Sequence, residues 1–356
     1  MPRKRSMQPF LDLHEEQPDT TSRCRETVVL HKASLRVTPV FYAYWRFAAE
    51  RQRIFFRRLA RKTEALTTDP ILKQFKFTNA YRASDRVSQY LIRNVVYRPD
   101  LPSDATNLFF RIILFKLFNK IETWQYLEEQ TGGITWEAFS FERYNSLLSK
   151  RMSAGYRIYS AAYIMPSGGS FFGYKVKHQN HLRMMEMLIR ERFPSRLGNC
   201  KTMAEVFRLL RSVPSIGSFL AYQYATDLNY SPLTCFGEDE FVVAGPGALD
   251  GIHKCFEGAH PDLAEDVIRY MWENQEKHFS DLGIKFQSLW GRRLQLIDCQ
   301  NVFCEISKYA RVAFPNYEGV AGRTRIKQNF SPNGSLPKPW YPPKWNINDQ
   351  IGSALP

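Results

Sequence analysis

Three stretches of this chain combine residue types and spacings suited to chemistry on a polyanion. The first is Val213-Pro214-Ser215-Ile216-Gly217. Pro214 lacks an N–H and ends the helix before it. Gly217 can take a backbone conformation that a Cβ would disfavour. The following helix, Ser218 to about Leu228, then opens with free N–H groups, so Ser215, Gly217 and Ser218 could seat one backbone phosphate. In the second stretch Lys175 and Lys177 alternate with Phe171, Phe172 and Tyr174. That mix suits gripping unstacked nucleic acid, and equally suits core aromatics beside a solvated basic edge. The third gathers Asp298, Gln300 and Asn301 in one helical pattern, where carboxylate and amide groups can read a base edge by paired hydrogen bonds.

Other chemistries lack their residues. A nucleotide-phosphate loop would read G-x-x-x-x-G-K-[ST]. The nearest stretch runs from Gly168 to Lys175, with Tyr174 where the Lys belongs, so no ATP site is expected. The six Cys show no CxxC spacing and the seven His no HxxxH or HxH spacing, so no metal, iron–sulfur cluster or other cofactor is expected. Glu238-Asp239-Glu240 suits the acidic first turn of a helix, favoured by its dipole.

The hairpin and this acidic run together resemble the helix-hairpin-helix DNA glycosylase superfamily. Val213–Gly217 is similar to its Leu-Pro-x-Ile/Val-Gly hairpin, and Glu238-Asp239-Glu240-Phe241-Val242-Val243 resembles the stretch around its catalytic Asp. The resemblance implies that Asp239 stabilises the positive charge of a sugar losing its base. Phe219 stands where bifunctional members carry a Schiff-base Lys, so no lyase step is implied. Asp227 and Asp250 are weaker candidates for the carboxylate.

A closer resemblance spans most of the chain. Tyr81-Arg82-Ala83-Ser84-Asp85-Arg86, Leu114-Phe115-Lys116-Leu117-Phe118-Asn119-Lys120, Gly245-Pro246-Gly247-Ala248 and Asp298-Cys299-Gln300-Asn301 are similar to the helical family named after phage 5-hydroxymethyluracil DNA kinase. Together the resemblances imply an all-α, helix-hairpin-helix fold with two helical lobes flanking a DNA cleft. The implied activity is monofunctional excision of a hypermodified pyrimidine from phage DNA, as antiviral defence, after the base leaves the stack. The second expectation is a kinase or transferase building modifications on 5-hydroxymethylpyrimidines, and the third a non-catalytic binder of modified DNA. Asn119, Glu122 and Tyr163 join Asp298, Gln300 and Asn301 as expected base-pocket residues. Arg82 and Arg86 join Ser215, Gly217, Ser218, Lys175 and Lys177 as expected DNA contacts, although Arg82, Asp85 and Arg86 also suit an ion-paired helix face.

Bulk properties agree with a nucleic-acid partner. The 356 residues carry 49 Lys and Arg against 35 Asp and Glu, a surplus of +14 that favours a polyanion. No apolar run is long enough to span a bilayer and no signal core follows the basic start, so a cytoplasmic protein without an obligate protein partner is expected. Residues 1–36 read as a mobile leader, 37–330 as a helical domain with its hairpin at 205–230, and 331–356 as a Pro- and Trp-rich extended tail. The spacing predicts helices over Pro39–Lys62 with an arginine stripe, Phe77–Tyr97 as a helix pair or one long helix, Asn107–Leu127, Trp136–Ser149, His181–Arg192, Met203–Ser212, Asp262–Phe279, from Ile284, and Arg292–Arg311. Weak strand patterns lie at Val28–Leu35 and Leu233–Phe236.

Overall fold

The computed structural model describes residues 26–30, 33–61, 65–161, 165–331 and 336–352. Lys62, Tyr163 and residues 1–25 of the expected leader lie outside them. The fold is mostly helical with one small sheet. It divides into two units: residues up to Asp85 with Val242–Pro339 and from Ile347 on, and Arg86–Phe241 with Trp340–Asn346.

The first unit begins with strands β1, Thr27–Leu30, and β2, Ala33–Val37, paired antiparallel with Val28 opposite Leu35. This hairpin falls inside the stretch expected to be a leader. Helix α1, Pro39–Leu59, starts on a Thr38 cap and Pro39, whose missing N–H costs nothing in a first turn. Its apolar residues bury Phe41, Tyr44, Trp45, Phe47, Phe55 and Phe56. Helix α2, Pro70–Gln74, is capped by Asp69, which accepts the Ile71 and Leu72 N–H groups at 2.7 and 2.9 Å and the Tyr309 hydroxyl at 2.7 Å.

The second unit runs through α3, Arg86–Tyr90, which loosens into a π turn at Leu91–Val96. Then come α4, Ala105–Phe118, and α5, Ile121–Thr131. Apolar all round, α4 is buried from Asn107 to Phe118. The single helix expected over Asn107–Leu127 breaks at Asn119, whose φ of 48° is left-handed, a conformation Asn tolerates better than most residues. Next are α6, Phe141–Ser153, the short α7, Gly169–Phe172, α8, Lys177–Arg190, and α9, Phe193–Asn199. Helices α10, Met203–Arg211, and α11, Ser218–Asn229, flank the Pro214–Gly217 bend. From the expected tail, Tyr341 is fully buried in this unit, and Lys344 donates to the Ser231 and Thr234 carbonyls at 3.1 and 2.7 Å.

The chain returns to the first unit with α12, Pro246–Cys255, and β3, Phe256–Glu257, which adds to β2. Helices α13, Ala264–Glu273, α14, Gln275–Asp281, and α15, Leu296–Ala313, complete it. Here α12 lies against α15 so closely that a Cβ on Gly251 would overlap the Phe303 carbonyl. Ser307, the Ala321 N–H (2.8 Å) and Lys254 (3.8 Å) surround the buried Asp250 carboxylate, so this weaker catalytic candidate ties the chain near Ala321 to both helices.

Other expected elements also differ. Phe77–Tyr97, expected as a helix pair or one long helix, holds only a single 3-10 turn at Arg82–Ser84 before α3 and its π turn. The segment after Ile284 is irregular until Leu296, and Leu233–Phe236 forms no strand.

Candidate functional site

In the second unit the Pro214–Gly217 bend lies at the surface. Gly217 and Ser218 are exposed, Ser215 is half-buried, and Ile216 is driven into the core. The backbone demand falls on Ser215, not Gly217. Ser215 takes a left-handed φ of 69°, whereas Gly217 sits at an ordinary φ of −76° with open space where a Cβ would go. Arg211 pins the bend by donating to the Ile216 carbonyl at 2.8 Å. Gly217 leaves the first turn of α11 without a side-chain cap.

Lys175 is exposed, while Lys177 is half-buried with its ammonium 4.5 Å from the Tyr159 ring centre. Burial lowers the Lys177 pKa. Arg86 and Glu122 are both exposed and pair with each other at 3.0 Å, so Glu122 faces solvent rather than a pocket. Asn119 is buried against charge: its Oδ1 accepts from Lys116 at 2.8 Å, and Lys116 pairs with the fully buried Asp227 at 3.1 Å. The triad supports the junction of α4 and α5 and the side of α11.

Asp239 is exposed on an irregular loop. The expected helix after it does not form, since Phe241-Val242-Val243 is irregular and the next helix opens at Pro246. Its neighbour Glu238 accepts the Trp345 indole N–H at 2.9 Å.

In the first unit two of the quoted blocks meet. The Arg82 N–H donates to Asp298 Oδ1 at 2.8 Å, and the other oxygen of Asp298 accepts the Gln295 N–H at 3.0 Å, closing a capping box. Asp298 is thus occupied by backbone, and Arg82, 4% exposed, is no surface phosphate contact. Asn301 Nδ2 donates to Thr78 Oγ1 at 2.9 Å, steadying the chain that leads into Asn79. Gln300 is buried, with its Nε2 3.1 Å from Cys304 Sγ.

Around this junction lies a polar cluster whose members the periodicity did not bring together. Half-buried Asp85 accepts the Asn79 N–H at 2.8 Å. Arg51, from the expected arginine stripe, turns inward and donates to the Thr78 carbonyl at 2.8 Å and to Asn79 Oδ1 at 3.3 Å. Glu305 accepts the Thr78 N–H at 3.0 Å and pairs with Lys308 at 2.6 Å. Burial pushes the Asp85 carboxyl up to about 7, against the pull of the Asn79 N–H, Arg51 and Arg82. Such a carboxyl exchanges its proton near neutrality and can act as a general base. The only sequence signal for it was its place in the Tyr81–Arg86 block.

Residues 38–319 match the family described as 5-hmdU DNA kinase, helical domain. The chain belongs to this family. It is also 26% identical over 278 residues to a protein of Bacillus phage SP10 described as a 5-hmdU DNA kinase. That match takes in 73% of this chain and 43% of the relative, so the chain spans less than half of the relative's length. No solved structure matches. Membership corrects the expected activity. Family and relative carry the name of a kinase, a transferase, and this overturns the expected base-excising hydrolase, with its role for Asp239 and its use in antiviral defence. No helix of the described residues is long and apolar enough to cross a membrane.

Proposed function

We propose that this chain binds DNA carrying 5-hydroxymethyluracil and takes part in phosphorylating its hydroxymethyl oxygen. The observation that carries this reading is the family match over residues 38–319. The surplus charge of +14 supports a polyanionic substrate. In such a transfer the hydroxymethyl oxygen bonds to the terminal phosphorus of a nucleoside triphosphate. The bond to the leaving diphosphate breaks, and the hydroxyl proton passes to a base. Asp85 suits that base, being half-buried beside Arg51 and Arg82 with a pKa near 7.

On the DNA side, a helix-hairpin-helix arrangement of α10, the bend and α11 would seat a backbone phosphate at Ser215, Gly217 and Ser218, with Lys175, Lys177 and Arg86 as further contacts in the same unit. Asn301, half-exposed on α15, remains a candidate to face the base. The sequence has no G-x-x-x-x-G-K-[ST] run, so the donor's phosphates need another holder.

The test uses the pure chain, γ-labelled ATP and duplexes carrying either 5-hydroxymethyluracil or thymine. Label entering only the modified duplex supports the reading. Tighter binding to the modified duplex without transfer supports the DNA-side role and assigns the donor site to another component. Equal binding to both duplexes and no transfer overturns the reading.

A further inference from the structure

Between Glu142 and Glu186 the chain holds seven Lys and Arg and no Asp or Glu. Part of that run forms a surface strip of the second unit that the proposed function leaves unused. Helix α6 ends at Ser153, and Gly155, with a left-handed φ of 83°, turns the chain back so that the Tyr156 N–H donates to the Arg151 carbonyl at 3.2 Å. The strip after this turn is tied to the junction of α4 and α5. The Ser160 N–H donates to the Phe118 carbonyl at 2.9 Å, Thr123 Oγ1 to the Ile158 carbonyl at 2.9 Å, and Lys120 to the Arg157 carbonyl at 2.6 Å. Ile158 is buried and anchors the strip from beneath.

Tyr156 stands on this strip 59% exposed. The Arg151 guanidinium lies over its ring, 4.9 Å from the centre, and over the half-buried Tyr126 ring, 4.5 Å from the centre. Arg151 also donates to the Glu122 carbonyl at 2.9 Å, while the Glu122 carboxylate pairs with Arg86 at 3.0 Å. Among the described residues no carboxylate pairs with Arg151, Lys150 or Arg157, and the last two are exposed. The Tyr156 ring is therefore held in place, backed by an unneutralised cation and open to solvent.

A base can offer its flat face to such a ring where it is unpaired, because inside a duplex both faces stack on neighbouring bases. The positive surroundings suit a phosphate backbone running past the ring. An acidic peptide would answer the charge but leave the open ring face unused. We propose that Tyr156 is the stacking platform for one unpaired base of a DNA strand whose phosphates run past Lys150 and Arg157. The choice of DNA rests on the proposed function, whereas the platform rests on the charge and the ring geometry. It gives the second unit a contact for single-stranded DNA in addition to the phosphate seat proposed at the Pro214–Gly217 bend.

The test titrates the full chain into a labelled oligothymidylate of about 12 nucleotides, within the usual span of a strand-binding site, and into an unmodified blunt duplex of the same length. Tyr156→Ala should weaken binding to the strand about five-fold or more and leave binding to the duplex within about two-fold. Tyr156→Phe keeps the ring and should stay within about two-fold of the parent on both probes. The side chain is exposed, so both variants should keep the parent's melting temperature. The proposal is overturned if the parent does not bind the strand, or if Tyr156→Ala binds it as the parent does. An equal loss on strand and duplex in Tyr156→Ala, or a loss in Tyr156→Phe as large as in Tyr156→Ala, overturns it too. Neither probe carries 5-hydroxymethyluracil and no phosphate donor is present, so the kinase reading can fail while these outcomes stand. Equally, the platform can fail while label transfer to modified DNA stands.

Discussion

Asp298 receives the backbone N–H of Arg82 at 2.8 Å from 216 positions away in sequence, and spends its second oxygen on the Gln295 N–H. Both bonds hold backbone, and the Arg82 end is buried. Asp298→Ala strands that donor and should cost about 2–3 kcal/mol in urea unfolding. Asp298→Asn keeps one acceptor and should cost less than half as much. Base selectivity should move with neither variant at temperatures where the protein is folded. A shift in selectivity without loss of stability would return Asp298 to the base pocket.

The close approach of α12 to α15 depends on Gly251, where a Cβ would meet the Phe303 carbonyl. Backbone cannot swing aside as a flexible side chain can. Gly251→Ala should therefore separate α12 from α15 at a cost of about 3 kcal/mol, at the upper end for overpacking. Gly217→Ala serves as the control, because the space there is open.

Much of the fold could be read from spacing, since the apolar patterns over Pro39–Lys62, Met203–Ser212 and Ser218 to about Leu228 become α1, α10 and α11. The site was less legible. Periodicity cannot tell an outward arginine from one turned in to bond carbonyls, as Arg51 does. Nor can it place Asp85 beside Glu305 and Arg51, which lie far from it along the chain. Asp239 misled for a related reason. A carboxylate at a familiar spacing carries no information about whether a helix follows it.

Asp85 and Asp239 now separate experimentally. If Asp85 takes the hydroxyl proton, phosphorylation should rise with pH to a midpoint near 7, where its carboxylate forms. Asp85→Asn should lower the rate by about 10²–10⁴ and flatten that profile. Asp239→Asn, altering an exposed loop, should leave the rate within about two-fold, since surface changes away from a site are usually small. Equal losses in both variants would remove Asp85 from the role.

His181 gives the second unit a pH dependence of predictable sign. Its Nε2 faces the Pro166 carbonyl at 2.8 Å and must carry the proton, while Nδ1 accepts the Tyr159 hydroxyl at 2.8 Å. Burial lowers its pKa from 6.5 to about 4. The unfolded chain therefore binds a proton that the folded chain refuses between those values. Stability is full above about 6.5 and falls as pH drops towards 4. Buried His178, whose pKa also falls, adds in the same direction. His181→Gln should reduce this slope in urea unfolding measured at several pH values across that window, and an unchanged slope would show that the imidazole is not the group responsible.

The hairpin yields the sharpest contrast between folding and binding. Ser215 holds a left-handed φ of 69° that a Cβ disfavours by about 1 kcal/mol, so Ser215→Gly should be neutral or stabilising by up to about that amount. Gly217 needs no special conformation, so Gly217→Ala should fold normally. It nevertheless places a methyl group at the uncapped end of α11, where the proposed phosphate would sit. Gly217→Ala should therefore weaken DNA binding several-fold and reduce the salt dependence by about one phosphate contact, whereas Ser215→Gly should retain both. Titrations of each variant against a DNA duplex at several salt concentrations measure affinity and slope together. Should Gly217→Ala bind DNA with the parent's affinity and slope, the bend does not hold the backbone.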